Sequence, residues 1–224
     1  MSIARNLEQT KAELAPFNCT LIAVSKTKPN EAIIDAYQAG HRDFGENKVQ
    51  ELVRKHEELP LDIQWHMIGH LQRNKVKYIA DFVHLIHGVD SAKLLSEIDK
   101  QGKKHKRIIH CLLQVHIAEE STKFGFSETE LTELLNSDVL DSMENVQIDG
   151  LMGMATFTDD LEQVSREFQS LKELYDRIQS GQHPSNVNMS ILSMGMSGDY
   201  KIAMKEGSNM VRIGTAIFGE RNYG

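Results

Sequence analysis

Short apolar runs rich in β-branched residues alternate along this chain with longer stretches in which apolar side chains recur every three or four positions. A period near two marks strands and a period near 3.6 marks helices, so the pattern predicts the two element types in regular succession. Strands are expected over residues 21–25, 41–45, 63–68, 82–89, 107–117, 146–152, 188–193 and 210–213. Helices are expected over 31–39, 46–58, 71–79, 91–101, 127–136 and 160–178, with an amphipathic one at 1–14 ahead of the first strand. Asn30 and Ser127 read as helix caps, and Ser127 with Glu130 fits a capping box; Gly40 and Gly102 read as helix stops.

Strands that alternate with helices predict a parallel sheet. Eight such units after an N-terminal helix describe a single (β/α)8 barrel of the TIM type, of nearly minimal length, spanning 1–224 as one domain. The competing arrangement is an open doubly wound sheet. Against it, no Gly-x-Gly-x-x-Gly follows the first strand, and Lys26 stands where such a loop would begin. No Pro/Gly/Ser linker, internal repeat or low-complexity tract marks a boundary.

Composition narrows the class of partner. Thirty-two acidic residues against 25 Lys and Arg give a net charge of −7, which disfavours nucleic acid and anionic membrane. No apolar run approaches a membrane span, and the N-terminal segment lacks the uninterrupted core of a signal peptide. Cys19 and Cys111 lie in apolar runs without Cys-x-x-Cys spacing, so neither a disulfide framework nor a zinc site is suggested. The expectation is a cytoplasmic protein.

In a barrel, reactive side chains gather at the C-terminal ends of strands. Lys26 follows the first strand, Asn47 the second, and His66 closes the third; Gln114 and His116 end the fifth, Ser193 the seventh, and Gly214 and Thr215 the eighth. The loops after the last two strands carry Ser193, Gly195, Ser197 and Gly198, then Gly214 and Thr215. These residues are small enough for backbone amides to approach an anion and bear hydroxyls able to donate to it. Arg212 lies inside an apolar run, where an inward-facing charge must find a partner. An amine at one strand end and a cationic, amide-rich cradle at another are the two parts that pyridoxal 5'-phosphate requires. Taken singly, each has a plainer reading: Lys26 as a solvated strand end, Ser197 and Thr215 as helix caps, Arg212 as half of a structural ion pair. The histidines argue against a metal. His66 and His70 are four apart but separated by Gly69 in an extended run, and His84 and His87 would face opposite sides of one strand. The Met-rich stretch 151–154 reads as barrel core.

Five motifs resemble, in order, those of the pyridoxal phosphate homeostasis proteins: AVSKTKP at 23–29, FGENKVQE at 44–51, WHMIGHLQRNK at 65–75, LSMGMS at 192–197 and VRIGTAIFG at 211–219. The resemblance implies a barrel like the N-terminal domain of alanine racemase, with the cofactor held as a Schiff base on Lys26. It places Arg212 at the pyridine nitrogen, Ser193, Ser197, Gly214 and Thr215 around the phosphate, and Asn47 near the ring's phenolic oxygen. Lys123 matches a further family lysine. An arginine at that nitrogen does not release its proton and leaves it unprotonated, which weakens the ring as an electron sink. Racemases of this arrangement add a tyrosine from a second domain, which this sequence lacks. The resemblance thus implies a monomeric carrier and buffer of the cofactor, with dependent apoenzymes as recipients and no catalytic residue. The alternatives are a single-domain racemase using His66 or Tyr200, an interaction module with a regulatory cofactor, and an enzyme acting on another phosphorylated metabolite.

Overall fold

The computed structural model describes residues 2–119 and 124–220. Its strands are β1 (Thr20–Val24), β2 (Asp43–Glu46), β3 (Gln64–Met67), β4 (Leu85–Val89), β5 (Ile109–Val115), β6 (Val146–Gly153), β7 (Val187–Met196) and β8 (Met210–Ile213). Each pairs in parallel with the next, and β8 returns to β1 with Ile22 opposite Arg212, so the sheet closes into a barrel. That pairing excludes the open sheet. The helices are α1 (Ile3–Leu14), α2 (Asn30–Gln38), α3 (Val49–Glu58), α4 (Ala92–His105), α5 (Glu128–Leu135), α6 (Leu161–Gln179), α7 (Tyr200–Lys205) and α8 (Thr215–Phe218). Among the described residues no helix is long and apolar enough to cross a membrane.

Strand alternation sorts the apolar residues into two cores. Ile22, Leu85, Leu112, Met152 and Met210 fill the barrel, with Met154 partly buried against them. Ala23, Phe44, Trp65, Ile86 and Val211 belong to the larger core between strands and helices. Methionine at 152 and 154 is therefore core, as its neighbours in the sequence indicated.

Several local expectations change. The stretch 71–79 forms a 3-10 helix (Arg73–Tyr78) in place of an α-helix, closed by i to i−3 bonds such as Ile79 N–H to the Val76 carbonyl (3.1 Å). Gly102 does not stop a helix; it lies inside α4, which ends at Lys106 in the left-handed conformation (φ 55°). Its role is close approach, since a Cβ there would sit 2.5 Å from the Asn145 carbonyl oxygen. Pro29, not Asn30, stands at the N-cap position of α2, without a capping side-chain bond; Asn30 is the first helical residue and donates to Glu58 (2.6 Å). The capping box of Ser127 and Glu130 is present at α5. The strand expected over 188–193 runs on to Met196, and the short α7 and α8 lie where no helix was expected.

Candidate functional site

At the C-terminal rim, β1 runs out into Ser25, Lys26 and Thr27. Lys26 is half-buried, and both residues beside it are fastened. The Ser25 hydroxyl donates to Glu46 Oε1 (2.6 Å), the Ser25 carbonyl accepts from Lys55 Nζ (2.8 Å), and the Thr27 N–H donates to Glu51 Oε1 (2.7 Å). Lys55 joins these anchors, donating also to Glu46 (2.8 Å) and Glu51 (2.7 Å). The Lys55 and Glu46 side chains are wholly buried between α3 and the sheet. Burial pushes the Glu46 carboxyl up, with the Lys55 ammonium opposing it. Thr27 takes a left-handed conformation (φ 63°), which a β-branched residue adopts only under constraint from its surroundings. The next residue, Lys28, donates from Nζ to the carbonyls of Phe218 (3.2 Å), Gly219 (2.9 Å) and Glu220 (2.8 Å), tying this turn to the end of α8. Sequence reasoning missed the Glu46, Glu51 and Lys55 cluster. Its signal was Lys55 on the same helical face as Leu52 and Leu59, a place where an ammonium needs carboxylates.

The neighbouring strand supplies the cationic part. Arg212 is buried, and its guanidinium donates from one nitrogen to the Ser193 carbonyl (2.9 Å) and hydroxyl (2.6 Å), and from another to the Gly153 carbonyl (3.0 Å). These bonds use three of the five N–H donors of a guanidinium. Burial lowers its pKa to about 10, which still leaves it cationic at neutral pH. Gly214 follows, and its N–H donates to Ser197 Oγ (3.2 Å), so the Ser197 hydroxyl keeps its own hydrogen to give. A Cβ at Gly214 would stand 3.1 Å from the Val24 carbonyl oxygen; glycine lets this turn close onto the strand that ends at Lys26. Thr215 opens α8 and is exposed. On the other side of β1, Asn47 follows β2, and the turn at Gly69 packs so tightly on it that a Cβ would lie 2.5 Å from the Asn47 carbonyl oxygen. Adjacent strands β7, β8, β1 and β2 thus bring Ser197, Arg212, Gly214, Thr215, Lys26 and Asn47 to one sector of the rim. Ser193 lies deeper: it is fully buried, with its hydroxyl engaged by Arg212. Gln114 Nε2 donates to the Phe124 carbonyl (2.7 Å) and holds a loop. Lys123 lies outside the described residues.

Beneath Arg212 a polar chain descends through the barrel. Ser193 Oγ accepts from Arg212, which leaves its hydrogen for His87 Nδ1 (3.3 Å). Burial, with His66 and Arg212 nearby, holds His87 well below the ordinary histidine range, so its ring is neutral. With the Ser193 hydroxyl as donor, the bonds run from His87 Nε2 to His66 Nδ1 (3.0 Å) and from His66 Nε2 to Asp43 Oδ1 (3.2 Å). The expectation that His84 and His87 face opposite sides is corrected: His84 precedes β4, and both rings lie 5.2 Å from that of His66. The Tyr200 hydroxyl donates to Glu13 of α1 (2.7 Å).

Known proteins match this chain over nearly its whole length. Residues 1–222 match the model of the alanine racemase N-terminal domain. The pyridoxal phosphate homeostasis protein of Aquifex aeolicus is 42% identical over 208 residues, covering 92% of this chain and 89% of the relative. That of Vibrio alginolyticus is 39% identical over 236 residues and covers 99% of each. The structure of PipY from Synechococcus elongatus with pyridoxal phosphate bound superposes with a TM-score of 0.87 at 35% identity, over 97% of this chain and 100% of that one. By this identity over nearly its whole length, the chain belongs to the pyridoxal phosphate homeostasis proteins of the alanine racemase N-terminal domain family.

Proposed function

We propose that this protein is one pyridoxal phosphate-binding domain that holds the cofactor on Lys26 and acts as its carrier and buffer inside the cell, passing it to dependent apoenzymes. The observation that carries this reading is the seating of the Lys26 turn. An amine flanked by two fastened residues stands beside a glycine turn whose missing Cβ brings Gly214 and Ser197 against the same strand. That arrangement fits the group: the rim offers an amine, a hydroxyl donor and a buried cation within one sector. When bound, the cofactor supplies an aldehyde that condenses reversibly with a primary amine.

Each residue then has a task of its own. Lys26 is the amine, and the clamp of Glu46, Glu51 and Lys55 orients it. Ser197 and Thr215 would donate to the phosphate, with the Gly214 N–H holding the Ser197 hydroxyl in place. Arg212, cationic at neutral pH, would face the pyridine nitrogen and give it no proton, which would leave the ring a weak electron sink. Ser193 serves through Arg212, which it aims from below. Asn47 would serve the ring's phenolic oxygen. The reading as a carrier and not a racemase is supported by two placements. The Tyr200 hydroxyl is spent on Glu13, and the His66 ring is spent on Asp43 and His87. Both are thus committed to other partners.

The test is the visible absorption of the full chain mixed with pyridoxal phosphate, compared with Lys26→Ala and followed by borohydride trapping and peptide mapping. A lysine-linked band in the wild type, with the reduced adduct on Lys26, is the expected result. An adduct mapping elsewhere overturns the assignment. Solvent deuterium entering the α-carbon of an amino acid at about one turnover per second or faster would favour the racemase.

A further inference from the structure

The N-terminal mouth of the barrel, at the opposite end from Lys26, carries a cluster that cofactor binding does not use. Asp43 starts β2, His66 lies in β3 and His84 immediately precedes β4. One ligand atom from each lies within 4.8 Å of the other two. His66 Nε2 and Asp43 Oδ1 are already 3.2 Å apart. Donor atoms around a tetrahedral ion with bonds of about 2.0–2.1 Å are separated by about 3.3 Å, so only His84 has to turn, and it is exposed. Strands, not loops, fix where the other two stand.

The surroundings of these three residues bear on a metal there. The far nitrogen of His66 is braced by His87, which is itself bonded to Ser193; bound histidines ordinarily have such support behind them. Asp43 also lines a cavity of about 560 Å³, with Lys11, Cys19, His41 and Arg42 around it. Arg42 on that wall is paired with Asp62 (2.9 Å). A second histidine–carboxylate pair, His110 with Asp149 (2.6 Å), follows on β5 and β6.

We propose that Asp43, His66 and His84 form a binding site for a divalent transition-metal ion of the zinc class, with one coordination position left to water. Two imidazoles and a carboxylate suit zinc, cobalt and nickel and suit magnesium or calcium poorly. Binding has a consequence inside the barrel. Ligation at His66 Nε2 moves the hydrogen of that ring to Nδ1, and the His66–His87 bond reverses. His87 then accepts at Nε2 and donates from Nδ1 to Ser193 Oγ. Each ring keeps one hydrogen throughout, so no proton is gained or lost. The Ser193 hydroxyl on which Arg212 rests therefore turns from donor to acceptor toward His87 when metal arrives at the other end.

The test titrates zinc chloride into the full chain, stripped with a chelator and free of cofactor, by calorimetry. One zinc per chain is expected. Asp43→Asn and His84→Ala each weaken binding at least about tenfold, and His183→Ala, on the loop after α6, binds as the wild type does. His84 is exposed, so its variant folds even where another does not. Nitrogen-15 spectra should move the His87 ring hydrogen from Nε2 to Nδ1 on adding zinc. The proposal is overturned if zinc binds both site variants as tightly as the wild type, or if saturation leaves the His87 tautomer unchanged.

Discussion

Replacing Lys55 by methionine tests how the Lys26 turn is held. Methionine fills the volume of the lysine stem, but it leaves the carbonyl of Ser25 without its donor and the carboxylate of Glu46 buried without a cation. Removing one member of a buried ion pair costs about 3–5 kcal/mol. For a chain of this size each kcal/mol lowers Tm by about 2–4 °C, so the midpoint should fall by about 6–20 °C. Urea unfolding can be followed through Trp65, the single tryptophan, which is 1% exposed. Neutralising the stranded partner as well, in Lys55→Met/Glu46→Gln, should return most of the loss, because the penalty lies in the uncompensated charge. The pH dependence has a definite sign. Burial already raises the folded Glu46 carboxyl above its ordinary 4.5, and losing Lys55 raises it further. The folded variant then holds a proton that the unfolded chain releases, so stability is lost as pH rises from 4.5 through the raised value. The deficit is therefore smaller in acid than at neutral pH. The same variant should form less of the lysine-linked cofactor band. A Lys55→Met protein within about 1 kcal/mol of wild type, or a double variant no more stable than the single, would refute the clamp.

Other predictions follow from the same structure. Ser193→Ala removes an acceptor from the Arg212 guanidinium and the donor to His87; it should cost about 1.5–3 kcal/mol in urea and weaken cofactor binding in a spectroscopic titration. His41 is held by burial, with Lys11 nearby, at about 4 in place of its ordinary 6.5. The unfolded chain therefore takes up this proton first, and about 3 kcal/mol of stability should be lost as pH falls from 6.5 to about 4; His41→Gln should flatten that part of the profile. Gly69→Ala would set a methyl 2.5 Å from the Asn47 carbonyl oxygen. Displacing the backbone should cost about 1–3 kcal/mol, read from thermal melts, and disturb binding at Asn47.

The order of elements, the closed parallel sheet and the residues of the rim were legible in the sequence. Apolar period is a local property, and in a barrel a strand-end position is also a rim position, so Lys26, Asn47, Ser197, Gly214 and Thr215 could be placed by counting along runs. What the linear pattern did not carry were relations between strands. The cluster that fastens Lys26 joins residues 25, 46, 51 and 55 across two strands and a helix. Gly102 resembles a helix stop until the Asn145 carbonyl packed over it is seen. His66 was weighed against His70, its neighbour along the chain, whereas its partners are Asp43, His84 and His87 from the strands on either side. The register between parallel strands is set by closure of the barrel and by how side chains fill its interior. No single segment encodes it, so which polar groups meet inside the barrel was decided only by the tertiary structure.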